Sequence, residues 1–322
     1  MIIGHQKQWK FLRKSVELGK IPHALLFSGQ EQLGKRTLAI EFVKLINCQE
    51  NDFSKKPCQK CRSCQDIEKG LHPDFVLVEP VSSHGPASLL SSGTSTGRGT
   101  QISQVRELIW KLSLHSYSAP FKSAIIDKAH LMTREAQNCF LKTLEEPKGK
   151  TLLILITEYP EMLVSTILSR VQKLKFSPVK RNEIESYFKK QGISSKKAEY
   201  LLSFSSGRPG KAINCFLDNQ KIKDQERFIQ DIVKISNSDY IFRFKYAKNF
   251  SSEISDILET WLRYFRSLFL ARISGQTKTE NFKQYSLFKL KKIISLIQST
   301  NYLISNTNVN PKLAFEVLLM EI

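Results

Sequence analysis

An apolar run, Ala24-Leu25-Leu26-Phe27-Ser28, leads directly into Gly29-Gln30-Glu31-Gln32-Leu33-Gly34-Lys35, and a helical pattern follows from Thr37 to Ile46. Strand, glycine-bounded loop and helix in that order admit few folds. The glycines let backbone N–H groups converge on phosphate oxygens, and the start of the helix adds a favourable dipole. Lys35 is placed to reach the β and γ phosphates of a nucleotide. The hydroxyl residue that should come next and bind magnesium is replaced by Arg36, with Thr37 one place late. One step along a helix turns a side chain by about 100°, so Thr37 is no substitute. Most of the cradle is backbone, so ATP or ADP can still be held, whereas metal-assisted turnover is not expected.

A second run, Ala124-Ile125-Ile126-Asp127-Lys128-Ala129-His130, reads as a buried strand ending in an acid. That is where a phosphate-loop protein keeps the aspartate that faces its magnesium ion. The next position normally supplies a carboxylate that handles the attacking water. Here it is Lys128, and a charged ammonium cannot accept a proton. The frame of an ATPase is present without its base.

Further strands are expected at 75–78 and 151–157. Helices are expected at 6–18, from 102 past Trp110, and over 133–144, the last stopped by Pro147 because proline disfavours helix at the residue before it. Alternating strands and helices predict a parallel α/β sheet up to about residue 177. Beyond Pro178 strand signals fade. Residues 181–216 read as a small helical unit. Two apolar stripes at helical spacing follow: Ile254, Ile257, Leu258, Trp261, Leu262, Phe265, Leu268 and Phe269, then Leu287, Leu290, Ile293, Ile294 and Ile297. Such stripes make a core or a subunit contact. Residues 82–100, rich in Ser, Gly and Thr, read as a mobile insertion.

The net charge is +19, with 49 basic and 30 acidic residues. Residues 1–177 hold 25 basic and 16 acidic side chains, and 178–322 hold 24 and 14, so the excess is spread evenly and there is no basic tail. This pattern suits an anionic partner such as nucleic acid, or else a well-solvated surface. No run approaches the roughly 18–20 apolar residues of a membrane span, and the N-terminus lacks the order of a signal peptide. The expectation is a cytoplasmic protein of two or three domains.

Cys48, Cys58, Cys61 and Cys64 form C-x9-C-x2-C-x2-C. Four thiolates close a tetrahedral site with no open position, which predicts a structural zinc ion. An iron–sulfur cluster or unligated thiols are the competing readings, and a reducing cytosol disfavours disulfides. His72 reads as a loop residue, and Cys139 and Cys215 as small buried apolar residues.

With these residues in view, the chain resembles the AAA+ clamp-loader subunits of bacterial DNA polymerase III, the delta-prime branch most closely. The resemblance is carried by IPHALLFSGQEQLGKRTLA (21–39), the cysteine cluster, IIDKAHLMTREAQNCFLKTLEEP (125–147), STILSRVQKLKF (165–176), SGRPGKAI (206–213) and NPKLAFEVLL (310–319), in order over almost the whole chain. It implies a AAA+ α/β domain with an inserted zinc module (1–177, zinc at 48–64), a helical lid (178–220) and an all-α collar (221–322).

Carried onto these residues, the resemblance makes Gly29, Gly34 and Lys35 the phosphate loop, with Arg36 and Thr37 beside it. Asp127 becomes the metal-side acid and Thr157 the polar sensor. Arg170, after Ser169, matches an arginine finger offered to the neighbouring subunit's ATP site. Val171 departs from the motif's cysteine, and Gly210 stands where ATPase members carry a second sensor arginine, with Lys211 one step away. The implied role is a non-hydrolysing member of a hetero-oligomeric ring with tau/gamma and delta subunits, a sliding clamp and primer-template DNA. The alternatives are a tau/gamma-like ATPase motor and an unrelated zinc-dependent nucleic-acid-binding module.

Overall fold

The computed structural model describes residues 2–80, 100–193, 201–202, 205–217, 219–236, 238–248, 254–274, 285–307 and 309–321. It divides into two compact units, Met1–Phe216 and Leu217–Ile322.

In the first unit five parallel strands form one sheet: β1 (Ala24–Ser28), β2 (Phe75–Val78), β3 (Lys122–Ile126), β4 (Thr151–Thr157) and β5 (Gln172–Lys175), in the order β2-β3-β4-β1-β5. Strand residues alternate between two packed faces, because successive side chains point to opposite sides of a sheet. Leu25, Phe27, Ile125, Ile154 and Ile156 pack with α1 (Gln6–Glu17), α2 (Lys35–Asn47) and α3 (Arg62–Lys69). Leu26, Ala124, Ile126, Leu153 and Leu155 pack with α4 (Ile102–Ser113), α5 (Arg134–Glu145) and α6 (Ser165–Leu168). With both faces covered, the central strands read as unbroken apolar runs, and all seven residues of β4 are buried. Each buried Leu, Ile or Phe contributes about 1.5–3 kcal/mol.

The structure departs from the sequence expectations at β5, Thr100 and Cys139. Strand β5 is absent from the sequence reading because only Leu174 packs inward. Gln172, Lys173 and Lys175 are exposed on a sheet edge, where lysines discourage pairing with other chains. The expected insertion at 82–100 falls outside the described residues except for Thr100. That residue is fully buried and donates its N–H to the Leu131 carbonyl at 3.1 Å, so it belongs to the fold. Cys215 is buried as expected, but Cys139 is only partly so.

The first unit also holds α7 (Arg181–Lys190), and its boundary falls one residue before the end of α8 (Pro209–Leu217). In the second unit α9 (Asn219–Ser236), α10 (Tyr240–Lys248), α11 (Ile254–Ile273), α12 (Leu287–Asn306) and α13 (Pro311–Glu321) enclose one core. Trp261 is its centre, fully buried, near-parallel to Tyr246 and donating its indole N–H to the Phe228 carbonyl at 2.8 Å. Both apolar stripes are spent largely on this core: Ile254, Ile257, Leu258, Phe265, Leu290, Ile293 and Ile297 are buried within it. Leu287 is the exception, 43% exposed at the first residue of α12. The exposed apolar surface is instead made by residues outside the stripes, notably Tyr240, Ile241, Phe242 and Phe244 on α10 and Leu313, Val317 and Met320 on α13.

Candidate nucleotide and metal sites

The loop after β1 and the ends of β2, β3 and β4 share the carboxyl edge of the sheet, where open α/β sheets bind ligands. Strand β4 lies between β1 and β3, so Thr157 stands between the phosphate loop and Asp127. The Thr157 carbonyl accepts the Gly29 N–H at 3.1 Å. Gly29 has φ +148°, and a Cβ there would sit 2.4 Å from the Phe176 carbonyl oxygen, so only glycine fits. Gly34, at φ +92°, precedes the first residue of α2.

Lys35 is buried, and its ammonium donates to the carbonyls of Gly29 and, at 2.6 Å, of Gln30. Burial lowers its pKa against the opposing pull of Glu158, Glu31 and Asp127. Arg36 forms ion pairs with Glu79 and, at 3.7 Å, with Asp127. Thr37 is exposed, as its helical phase predicts. Asp127 also accepts the Lys128 N–H at 2.9 Å. Its pKa is raised by burial despite that bond and the charges of Arg36 and Lys128.

Lys128 sits at φ +49° and pairs with Glu31 of the phosphate loop at 2.8 Å. Burial works against its charge, but the bond to Glu31 and the surrounding carboxylates outweigh it and raise its pKa. Thr157 is buried, with its hydroxyl 3.1 Å from His130 Nδ1 and accepting the Tyr159 N–H at 3.1 Å. Burial pushes the His130 pKa down to about 4, so the ring is neutral at pH 7.

Glu31, Glu79, His130, Glu158 and Arg208 were not singled out by the sequence reading. Each follows a strand end or lies within a quoted motif, and that adjacency was the available signal. Arg208 and Glu158 attract each other across this edge, with burial lowering the guanidinium's pKa and raising the carboxyl's. Gly210 closes the loop from the other side: its N–H donates to the Gln32 carbonyl at 2.9 Å, and a Cβ would meet that same oxygen at 2.9 Å. Lys211, one step on, is buried.

At the far end of α2, the sulfurs of Cys48, Cys58, Cys61 and Cys64 all lie within 4.8 Å of one another. A regular tetrahedron with metal–sulfur bonds of about 2.3 Å puts sulfurs about 3.8 Å apart, so the set fits a single ion. Backbone N–H groups of Cys58, Cys61 and Cys64 point at the sulfurs of Cys48, Cys58 and Cys61, at 3.4, 3.3 and 3.4 Å. The N–H groups of Lys60 and Cys61 bring the Cys58 thiol down to about 6, while burial raises those of Cys48 and Cys64. Arg13 ties this module to α1 by donating to the carbonyls of Phe53 and Lys56, both at 3.1 Å. His72 is buried in its loop, where Nδ1 accepts the Asp74 N–H at 3.1 Å.

Arg170 lies elsewhere, after α6. Its guanidinium pairs with Glu145 at 2.7 Å and donates to the Thr166 carbonyl at 2.9 Å.

A family model described as DNA polymerase III, delta subunit, matches residues 4–180, more than half of the chain. The chain belongs to this family, that of the clamp-loader subunits. A DNA polymerase III subunit delta' of Bacillus subtilis (strain 168) is 36% identical over 197 residues, covering 61% of this chain and 55% of the relative. Subunit tau of the same organism is 24% identical over 364 aligned positions, covering all of this chain and 60% of the relative. A DNA polymerase III subunit gamma of Buchnera aphidicola subsp. Schizaphis graminum is 33% identical over 188 residues, 58% of this chain and 47% of the relative.

The clamp-loader chain thus spans about half the length of the curated relatives it matches. A crystal structure of a DNA polymerase III gamma subunit-related protein from Thermotoga maritima superposes with a TM-score of 0.50 at 16% identity, covering 97% of both chains. At that identity the likeness is one of fold alone.

Proposed function

We propose that this clamp-loader subunit is delta-prime-like: a member that does not hydrolyse ATP and completes a neighbour's ATP site with Arg170. The observation that carries this reading is the chemistry around Asp127. Hydrolysis needs a metal-binding hydroxyl after the loop lysine and a carboxylate that handles water. Here those positions are Arg36 and Lys128, both cationic and both held in ion pairs. A guanidinium delivered in trans can raise phosphoryl transfer about 10³–10⁵-fold, and Arg170 is partly exposed and positioned by a short helix.

In this reading 1–177 is the AAA+ domain, 178–220 the lid and 221–322 a collar that joins a hetero-oligomeric ring with tau/gamma and delta subunits. The exposed aromatic residues of α10 support such an attachment surface. The four cysteines hold a structural zinc ion that cross-links the segment after α2. The assembled ring places the sliding clamp on primer-template DNA, towards which the +19 charge is favourable. No helix among the described residues is long and apolar enough to cross a membrane, and the site of action is the cytoplasm.

A tau/gamma-like motor is the second reading; Lys35, at the start of α2, and Asp127, just past β3, favour it, while Arg36 and Lys128 oppose it. Phosphate release separates the two. The purified chain with clamp and primed DNA stays at background in the first reading and turns over in the second. Retention of tau/gamma and delta subunits on co-purification is expected, and their absence would overturn the clamp-loader assignment of role.

A further inference from the structure

Asp127 would be the metal's acid, yet both of its oxygens are engaged. Oδ1 accepts the Lys128 N–H, and Oδ2 faces the Arg36 guanidinium at 3.7 Å. Glu79, just beyond β2, grips the same Arg36 nitrogen, so two strand ends clamp one cation between them. Lys35 and Lys128 add two more positive charges around this acid. Magnesium demands near-octahedral oxygen ligands and gives up its waters reluctantly. The first hydroxyl after the loop lysine, on Thr37, is exposed one helical step away. The donor set therefore does not fit a divalent cation. It offers donors to an anion instead: Gly29 and Gly34 shape the loop, and Lys35, Arg36, Lys128 and Arg208 stand around it, each now facing a carboxylate (Glu31, Glu79, Asp127 or Glu158) whose place phosphate oxygens would take.

We infer that Arg36 stands in for the divalent metal, so that this site takes a nucleoside polyphosphate as the metal-free anion. In a working phosphate-loop ATPase the metal bridges the β and γ oxygens and neutralises their charge. Here a guanidinium tethered to the protein supplies that positive charge permanently. A planar fork of donors matches phosphate oxygens, and Arg36 is 44% exposed, so it can turn from Glu79 towards an arriving phosphate. Lys35 must exchange the Gly29 and Gln30 carbonyls for phosphate oxygens, a swap within its own loop. The inference rests on the non-hydrolysing reading and adds the ionic form of the ligand.

The test is calorimetric titration of the full chain with ADP and with ATP, once in millimolar Mg²⁺ and once in EDTA. The expected result is measurable binding whose affinity is the same within about twofold, or tighter in EDTA, where the free nucleotide carries more negative charge. In R36S the guanidinium is gone and a hydroxyl takes the metal-ligand position. Its binding should become tighter in Mg²⁺ than in EDTA by about tenfold, which is about 1.4 kcal/mol. R36K keeps the charge and should remain indifferent to the metal. Wild-type binding that tightens tenfold with Mg²⁺ overturns the inference, as does no binding of either nucleotide in either condition. Phosphate release is followed in the same samples. Turnover would overturn the non-hydrolysing reading, whereas metal-tightened binding without turnover overturns the role of Arg36 alone.

Discussion

Arg170 is held by Glu145. Nη2 of the guanidinium lies 2.7 Å from Oε1 at the last residue of α5, while Nη1 donates to the Thr166 carbonyl and to Ser169 Oγ, at 2.9 and 3.1 Å. The proposed finger is thus oriented by its own chain, and a surface pair of this kind contributes about 0–1 kcal/mol. Replacing Arg170 by alanine should leave folding and assembly intact and lower ATP turnover of the reconstituted loader at the adjoining site about 10³-fold or more. Arg170→Lys should fail similarly, because an ammonium lacks the bidentate fork. Glu145→Gln frees the guanidinium and should leave turnover at or above wild type. Steady-state phosphate release decides all three, and unchanged turnover in R170A removes the finger.

Lys128→Glu should not by itself create an ATPase. The new carboxylate would occupy the usual water-handling position, but Arg36 still stands where the metal ligand belongs. The substitution also sets a second carboxylate against Glu31, which pairs with the native ammonium at 2.8 Å. Because both side chains are nearly half exposed, the loss of stability should stay within about 1 kcal/mol. Phosphate release above background from K128E alone would show that the missing hydroxyl is not limiting.

Asp74 links stability to pH. Its carboxylate accepts the N–H groups of Tyr117, Ser118 and Ala119 at 2.7, 2.8 and 2.8 Å. Burial acts to raise its pKa, but the three bonds together outweigh it and leave the group below the ordinary carboxylate value. A group depressed in the folded state stabilises the fold above its unfolded pKa of about 3.9. That stabilisation disappears as pH falls through the lower folded value. Asp74→Ala should cost about 2–3 kcal/mol at pH 7 by urea denaturation, and its difference from wild type should shrink below about pH 4. A difference independent of pH would mean that packing, not charge, is what the substitution removes.

Metal analysis should find one zinc ion per chain, held by Cys48, Cys58, Cys61 and Cys64. Cys64→Ser should lose the ion and melt at lower temperature, and a chelator should do the same to wild type because site formation and folding are coupled. Iron with visible absorbance would instead identify a cluster. Metal-free protein of unchanged melting temperature would leave the thiols unligated.

Gly210→Ala should destabilise the first unit by about 1–3 kcal/mol, the usual cost of overpacking. The added Cβ would press on the Gln32 carbonyl at 2.9 Å, and that oxygen is backbone that cannot swing away. Urea denaturation measures the effect. A neutral substitution would mean that α8 and the phosphate loop can part freely.

The sheet, the loop and the cysteine cluster were legible in the chain because each rests on local rules. Apolar runs mark buried strands, glycines mark the turn where backbone must approach phosphate, and Cys-x2-Cys spacing marks a shared ion. Strand β5 was not legible, since an exposed edge strand has no apolar pattern to betray it. The apolar stripes of α11 and α12 suit a core or a subunit contact, and the family resemblance assigns them to attachment; packing instead turns them inward around Trp261.

The same division holds at the strand ends. The order of residues alone puts Arg36 and Lys128 at the two positions where the phosphate-loop pattern calls for a hydroxyl and a carboxylate. It could not say which acids these cations would meet, because Glu79, Glu31 and Asp127 come from different strand ends and converge only when the sheet forms. Charge pairing depends on distance through space, and that distance is set by the order β2-β3-β4-β1-β5 rather than by position in the chain.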